Sequence, residues 1–261
     1  MKDKLATLAV IISSLVTINI ASAHESSCNV SLNHDISLRN NALTVSNNGK
    51  VQYQIKNHNL FIDGKKITLN SAQEKLLTQY ETAVKEQIPE VVELVTDAVD
   101  LAQDAVGTAM KPLLGEATAK KVDQLMSKLS DKIASVAHKN ENGYFLGSTE
   151  QAFDKAFDQH FEQEMENVIQ NSLGSIMINV GNILMSSEGG SFTEKMASFE
   201  RKIESMAEQI EQNIEGRADQ FEQKAQLMCQ DFKSIAELET KVRAAIPQLS
   251  KISASISTSK S

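Results

Sequence analysis

The chain has 261 residues, with 41% hydrophobic, 23% charged and 5% aromatic side chains, 11 Gly, 3 Pro, 2 Cys and no Trp. That length can bury a substantial core in one or two domains, and the Gly, Pro and Cys counts exclude collagen-like, mucin-like and disulfide-scaffold classes. A formal charge of −8 argues against a general nucleic-acid binder, which carries a basic footprint.

Residues 1–23 read as a secretory signal rather than as fold. Lys2 and Lys4 form a positive start, Leu5 to Ile20 is mostly apolar, and Ala21-Ser22-Ala23 is the small-x-small pattern that predicts cleavage after Ala23. Glu25-Ser26-Ser27 before Cys28 is not the apolar, small-residue setting that lipid modification needs. Without the leader the chain keeps 24 basic and 33 acidic residues, net −9. Residues 24–70 carry net +2 and the remainder net −11, so two regions of different construction are expected.

Export places Cys28 and Cys229 where disulfides persist, and two cysteines allow one pairing. Such a bond would tie the two ends of the mature chain and contribute on the order of 5 kcal/mol in the chain-entropy model. Free buried thiols or a redox pair are the alternatives, and no Cys-x-x-Cys motif supports the latter.

Residues 24–70 predict a small antiparallel β-meander. Val30, Leu32, His34, Ile36 and Leu38 alternate with polar residues, Leu43 and Val45 keep the phase, and Val51, Tyr53 and Ile55 alternate again. Turns are expected at Asn47-Asn48-Gly49, Asn57-His58-Asn59 and Asp63-Gly64, with Leu60, Ile62, Ile67 and Leu69 completing the set. A sheet this small needs another layer over its apolar face.

Residues 71–249 predict a helical body. Asn70/Gln73 and Ser71/Glu74 both have capping-box spacing, and Leu76, Leu77, Tyr80, Val84 and Ile88 follow at helical steps to Pro89, expected to kink or restart the helix. The stripe continues to Pro112. A further helix runs from Leu113 to Val136 and is broken by Asn140 to Gly143. Ser148 to Gln151 and Ser191 to Glu194 are two more capping boxes. Phe153, Phe157, Phe161, Met165, Val168, Ser172, Ile176 and Val180 recur every three or four residues. A last seam runs from Phe192 to Ile235 with coiled-coil-like steps; continuous to about residue 246 it would outreach a compact domain, so an elongated hairpin or a bend near Gly216 is expected. Pro247 ends it, and the Ser-rich tail, 250–261, is expected to be disordered. The fold class is therefore α+β and predominantly helical, a meander packed on a long, elongated, coiled-coil-like body.

The order of these features resembles a known family. A Cys at the start of the mature chain precedes strands ending in Leu60-Phe61-Ile62-Asp63-Gly64-Lys65-Lys66-Ile67-Thr68-Leu69. Gln73, Tyr80 and Pro89 lie in a helical run, a charge-poor Gly/Met segment spans Leu173 to Met185, and a late Cys and Ile246-Pro247 close the pattern. Over most of residues 28–249 this is similar to the YggN-like family of exported bacterial proteins of unknown function. The resemblance implies a Gram-negative periplasm and supplies no activity.

A search for chemistry finds no HExxH, Walker, GxGxxG, GxSxG or EF-hand pattern. Asp158, His160 and Glu164 are the nearest approach to a metal cluster and read better as a solvated face. His34 reads as a hydrogen-bonded core or edge histidine, and the Phe153/Phe157/Phe161 run as packing. No catalytic residue, metal or cofactor is expected. The unusual segment is Asn167 to Ser187, 21 residues without a charge. Its Asn and Gln residues argue against a membrane span. Burial within the domain is the simpler expectation for it. The alternative is an apolar interaction surface of Leu173, Ile176, Met177, Val180, Ile183 and Leu184, since Met adapts to varied shapes. The expected function is that of a non-enzymatic envelope interaction or chaperone-like protein, with a carrier of lipid or another apolar ligand as the alternative. Its partner would be an envelope protein or an apolar ligand, with self-association open, no nucleic acid, and no transmembrane span after signal cleavage.

Overall fold

A computed structural model describes residues 28–110, 114–186 and 190–258. Residues 1–27, which include the expected leader, and residues 111–113, 187–189 and 259–261 lie outside the described residues.

The strands are β1 (Val30–Leu32), β2 (Asp35–Arg39), β3 (Ala42–Asn47), β4 (Lys50–Lys56), β5 (Asn59–Ile62) and β6 (Lys65–Lys66). Two-residue turns join β2 to β6 in succession: Asn40-Asn41, Asn48-Gly49, Asn57-His58 and Asp63-Gly64. Both positions of each turn have positive φ, the mirror-image turn geometry whose twist matches that of paired strands. Asn, Asp and Gly, which tolerate that region, fill every one of these positions except that of His58, at φ +61°.

The period-two phase buries Ile36, Leu38, Leu43, Val45, Tyr53, Ile55 and Leu60 on one face. Val51, expected in the same phase, is exposed. The register runs Val45 to Tyr53 and then Ser46 to Val51, so Gln52 is an extra residue in a bulge that rotates Val51 outward.

The helices are α1 (Ser71–Met110), α2 (Glu116–Val136), α3 (Glu150–Ala156), α4 (Gln159–Ser186), α5 (Phe192–Ala245) and α6 (Pro247–Ser250). Asn70 and Gln73 form the reciprocal cap at the start of α1: Gln73 N donates to Asn70 Oδ1 at 3.0 Å, and Asn70 N donates to Gln73 Oε1 at 2.9 Å. The helix runs through Pro89. Ser191 and Glu194 form the expected capping box of α5, which is continuous through Gly216. The cap of α3 lies one residue from its expected place, at Thr149, whose hydroxyl accepts from Ala152 N.

α1 and α5 pack antiparallel across the apolar face of the sheet. Polar pairs mark their register: Gln87 donates to Asp231, Lys224 to Asp97 at 2.9 Å, and Arg217 to Asp104. Leu77, Tyr80, Val84 and Ile88 of α1 meet Phe232, Ile235, Ala236 and Val242 of α5 over the sheet residues, forming one core.

Two expectations need correction. Residues 137–146 form a hairpin, β7 (Ala137–Asn140) and β8 (Gly143–Leu146), inside what the sequence reads as helical body. β8 pairs with β2 and completes an antiparallel sheet of order β6-β5-β4-β3-β2-β8-β7. Gly143 is needed there, because a Cβ at φ +147° would lie 1.8 Å from the Leu38 carbonyl oxygen. The tail is also structured as far as Thr258: β9 (Ile256–Thr258) pairs antiparallel with β1, and Ile256 and Ser255 are buried. Its Ser-rich composition predicts disorder, yet its backbone finds partners on distant elements, and these hold it.

Candidate interaction surface

Cys28 and Cys229 are bonded, with Cα atoms 5.7 Å apart, so the start of the described chain is fastened to the middle of α5's packed half. Below that link lie buried polar groups that periodicity hides. Glu239 occupies the apolar phase of α5, four residues after Ile235 and three before Val242. Its carboxylate accepts Ser255 N at 2.7 Å and Ile256 N at 2.9 Å, and burial pushes its pKa up. The Tyr53 hydroxyl lies 3.0 Å from that of Tyr80 and 3.2 Å from Ser255 Oγ, and burial raises both phenols. Arg243 donates to the Leu249 and Ile252 carbonyls. The void beside this group is about 10 Å³, too small for a substrate, so the arrangement fastens the C-terminal segment.

His34 is buried, as expected, with Nε2 3.2 Å from Ser253 Oγ, and burial lowers its pKa. Asp35 accepts Ser148 N and Thr149 N and the Thr149 hydroxyl, which joins the sheet to the start of α3. Glu81, also in an apolar phase, accepts from Lys85 and lies 2.8 Å from His58 Nδ1, which ties the Asn57-His58 turn to α1. A carboxylate standing where a helical stripe predicts a hydrocarbon is the sequence signal for both Glu81 and Glu239.

Asp158, His160 and Glu164 do not converge. Asp158 accepts Phe161 N and pairs with Lys132, while Glu164 pairs with Lys128. The backbone hydrogen bond from Phe161 lowers the Asp158 pKa. Phe153 stacks on Phe157, which meets Phe161 edge to face, from half-exposed Phe153 to buried Phe161.

The charge-free segment shows an inverted arrangement. The contacts that the described residues of α4's second half make toward α2 are polar. The Ser175 hydroxyl lies 2.7 Å from that of Thr118, Ser172 is buried, and the Asn179 amide lies against Gly115. The outer side is apolar: Leu173 is 57% exposed, Met177 77%, Ile178 67% and Met185 83%. Ile169 is exposed beside them, and Ile176 is partly buried. The side chains of Val180, Ile183 and Leu184 lie outside the described residues. Burial of this segment within the domain is therefore not what the fold does with Leu173, Met177, Ile178 and Met185. Ser172, Ser175 and Asn179 take the inner face, and Leu173, Met177, Ile178 and Met185 are left in water.

A family model described as "Protein of unknown function (DUF2884)" matches residues 28–254. The chain belongs to that family. The matched region begins at the bonded Cys28 and ends one residue before Ser255, so it contains the disulfide, the seven-stranded sheet, every described helix and the exposed face of α4. No curated protein matches the chain, and no solved structure does. Among the described residues, no helix is long and apolar enough to cross a membrane.

Proposed function

We propose that this family member is an exported, non-enzymatic protein of the periplasm. In this reading an elongated, coiled-coil-like helical body presents the outer face of α4 to hold an envelope protein in a chaperone-like manner. The observation that carries it is the inversion on α4, where Leu173, Met177, Ile178 and Met185 are more than half exposed while Ser172 is buried. Solvating large side chains that an ordinary amphipathic helix would turn inward is unfavourable by roughly 1.5–3 kcal/mol each, a cost that a partner covering them removes. The Cys28–Cys229 bond supports export, because such bonds persist in oxidising compartments.

The test is aggregation of a chemically unfolded client followed by light scattering. The full chain should suppress scattering, and Leu173→Glu with Met177→Glu should abolish suppression while far-UV circular dichroism stays unchanged. Equal suppression by both, or by neither, overturns the reading. Lipid retained on the purified wild-type chain in native mass spectrometry, and lost in the same variant, would assign the face to a carrier instead.

A further inference from the structure

Resting on that reading of α4, we infer that the occupant is a polypeptide segment with an apolar stretch and Lys or Arg at one end. Along α4, Glu162, Glu166, Ile169, Leu173 and Met177 succeed one another at steps of four, three, four and four, which places them on one side of the helix. The apolar stripe thus runs into two carboxylates on the same face. Both are exposed, and neither has an ion-pair partner among the described residues; Glu166 accepts only from Gln170 Nε2 at 3.2 Å. Glu164, turned toward α2, is already paired with Lys128. From Ile169 to Met185 the apolar face is about 24 Å long at 1.5 Å per residue, and the carboxylates begin about 5 Å beyond Ile169.

Charge complementarity selects among occupants. α4 contains no Lys or Arg, so a second copy laid parallel on α4 offers no cation to Glu162 or Glu166; laid antiparallel it brings only Lys195, which is already engaged with the Met185 carbonyl at 3.2 Å, and the sedimentation measurement below tells that arrangement apart. An anionic bilayer repels the acidic end. A peptide with hydrocarbon over the stripe and ammonium or guanidinium groups over the carboxylates satisfies both, and the charges set its direction on the helix.

The experiment is fluorescence anisotropy with the full chain and three labelled peptides that share one apolar core and end in Lys, Ser or Asp. The Lys-ended peptide should bind about fivefold tighter than the Ser-ended one, and this preference should vanish at high salt and in Glu162→Gln/Glu166→Gln. The Asp-ended peptide should bind weakest. In Leu173→Glu/Met177→Glu, none of the three should bind. Equal affinity for all three peptides, all lost in the Leu173/Met177 variant, overturns the charge selection and leaves the apolar face standing. Binding unaffected by the Leu173/Met177 variant overturns both. A dimer in sedimentation that Met177→Glu dissociates assigns the face to a second copy and overturns the proposal, as does saturable binding to anionic vesicles without peptide binding.

Discussion

The Glu239 carboxylate, buried on α5, holds Ser255 by its backbone N–H at 2.7 Å and the following residue at 2.9 Å. One side chain therefore supplies both acceptors for the strand-start amides of β9, and β9 in turn holds β1, two residues from the bonded Cys28. Asn33 adds three contacts to the same segment: its side-chain amide donates to the Ala254 carbonyl and to the Ser257 hydroxyl, each at 3.1 Å, and its backbone N to the Ser255 carbonyl at 2.8 Å.

Removing that acceptor should loosen the C-terminal segment before anything else. Glu239→Ala leaves two buried N–H groups unmet and should cost about 2 kcal/mol, part of the loss being offset by no longer burying a carboxylate. Hydrogen exchange should show residues 253–258 losing protection ahead of the sheet. Unchanged protection there would refute the assignment.

The disulfide should be a major stabilising element. Cys28→Ser with Cys229→Ser should lower unfolding free energy by about 2–5 kcal/mol in urea titrations. Alkylation of the wild-type chain without reductant should label neither cysteine.

Acid should act through His34. Its pKa is lowered by burial, with the Ala254 carbonyl and Asp35 opposing and Arg243 reinforcing the shift. The unfolded chain therefore gains a proton below the ordinary value of 6.5 before the folded chain does. The stabilisation from neutral His34 is present above that pH and lost as pH falls toward the lowered folded value. Glu239 works in the opposite sense. Its raised pKa favours the folded state at low pH, and that contribution is lost as pH rises through the folded value. Comparison with His34→Gln isolates the histidine: from about pH 7.5 to about pH 5.5 the wild type should lose more melting temperature than the variant. Parallel slopes would contradict this.

The two sides of α4 should respond oppositely to substitution. Phe161→Ala, at a buried position on the inner side, should cost about 3–5 kcal/mol. Met177→Lys, on the open side, should change stability by less than about 0.5 kcal/mol. Thermal melts of the two variants separate packing from surface directly.

Much of this architecture was legible from local pattern. Alternation placed Ile36, Leu38, Leu43, Val45, Tyr53, Ile55 and Leu60 on one face, because side-chain direction in a strand repeats every two residues. Asn48-Gly49 and Asp63-Gly64 announced their turns, and Ser191 with Glu194 announced the start of α5. Val51 escaped because a single bulged residue shifts the phase, and nothing within β4 alone signals the bulge.

What the residues determined by themselves were features set within a few positions along the chain: turn chemistry, caps, helical and strand periods, and, with only two cysteines, the sole pairing open to a disulfide. Only the tertiary structure decided that Gly143 to Leu146 joins β2, that Ile256 to Thr258 pairs with β1, and which side of α4 stays in water. Each of these depends on groups far apart in sequence meeting in space. The α4 face shows this most plainly: Leu173 and Ser172 are neighbours in the chain, and the helices packed on α4 leave one exposed and the other buried.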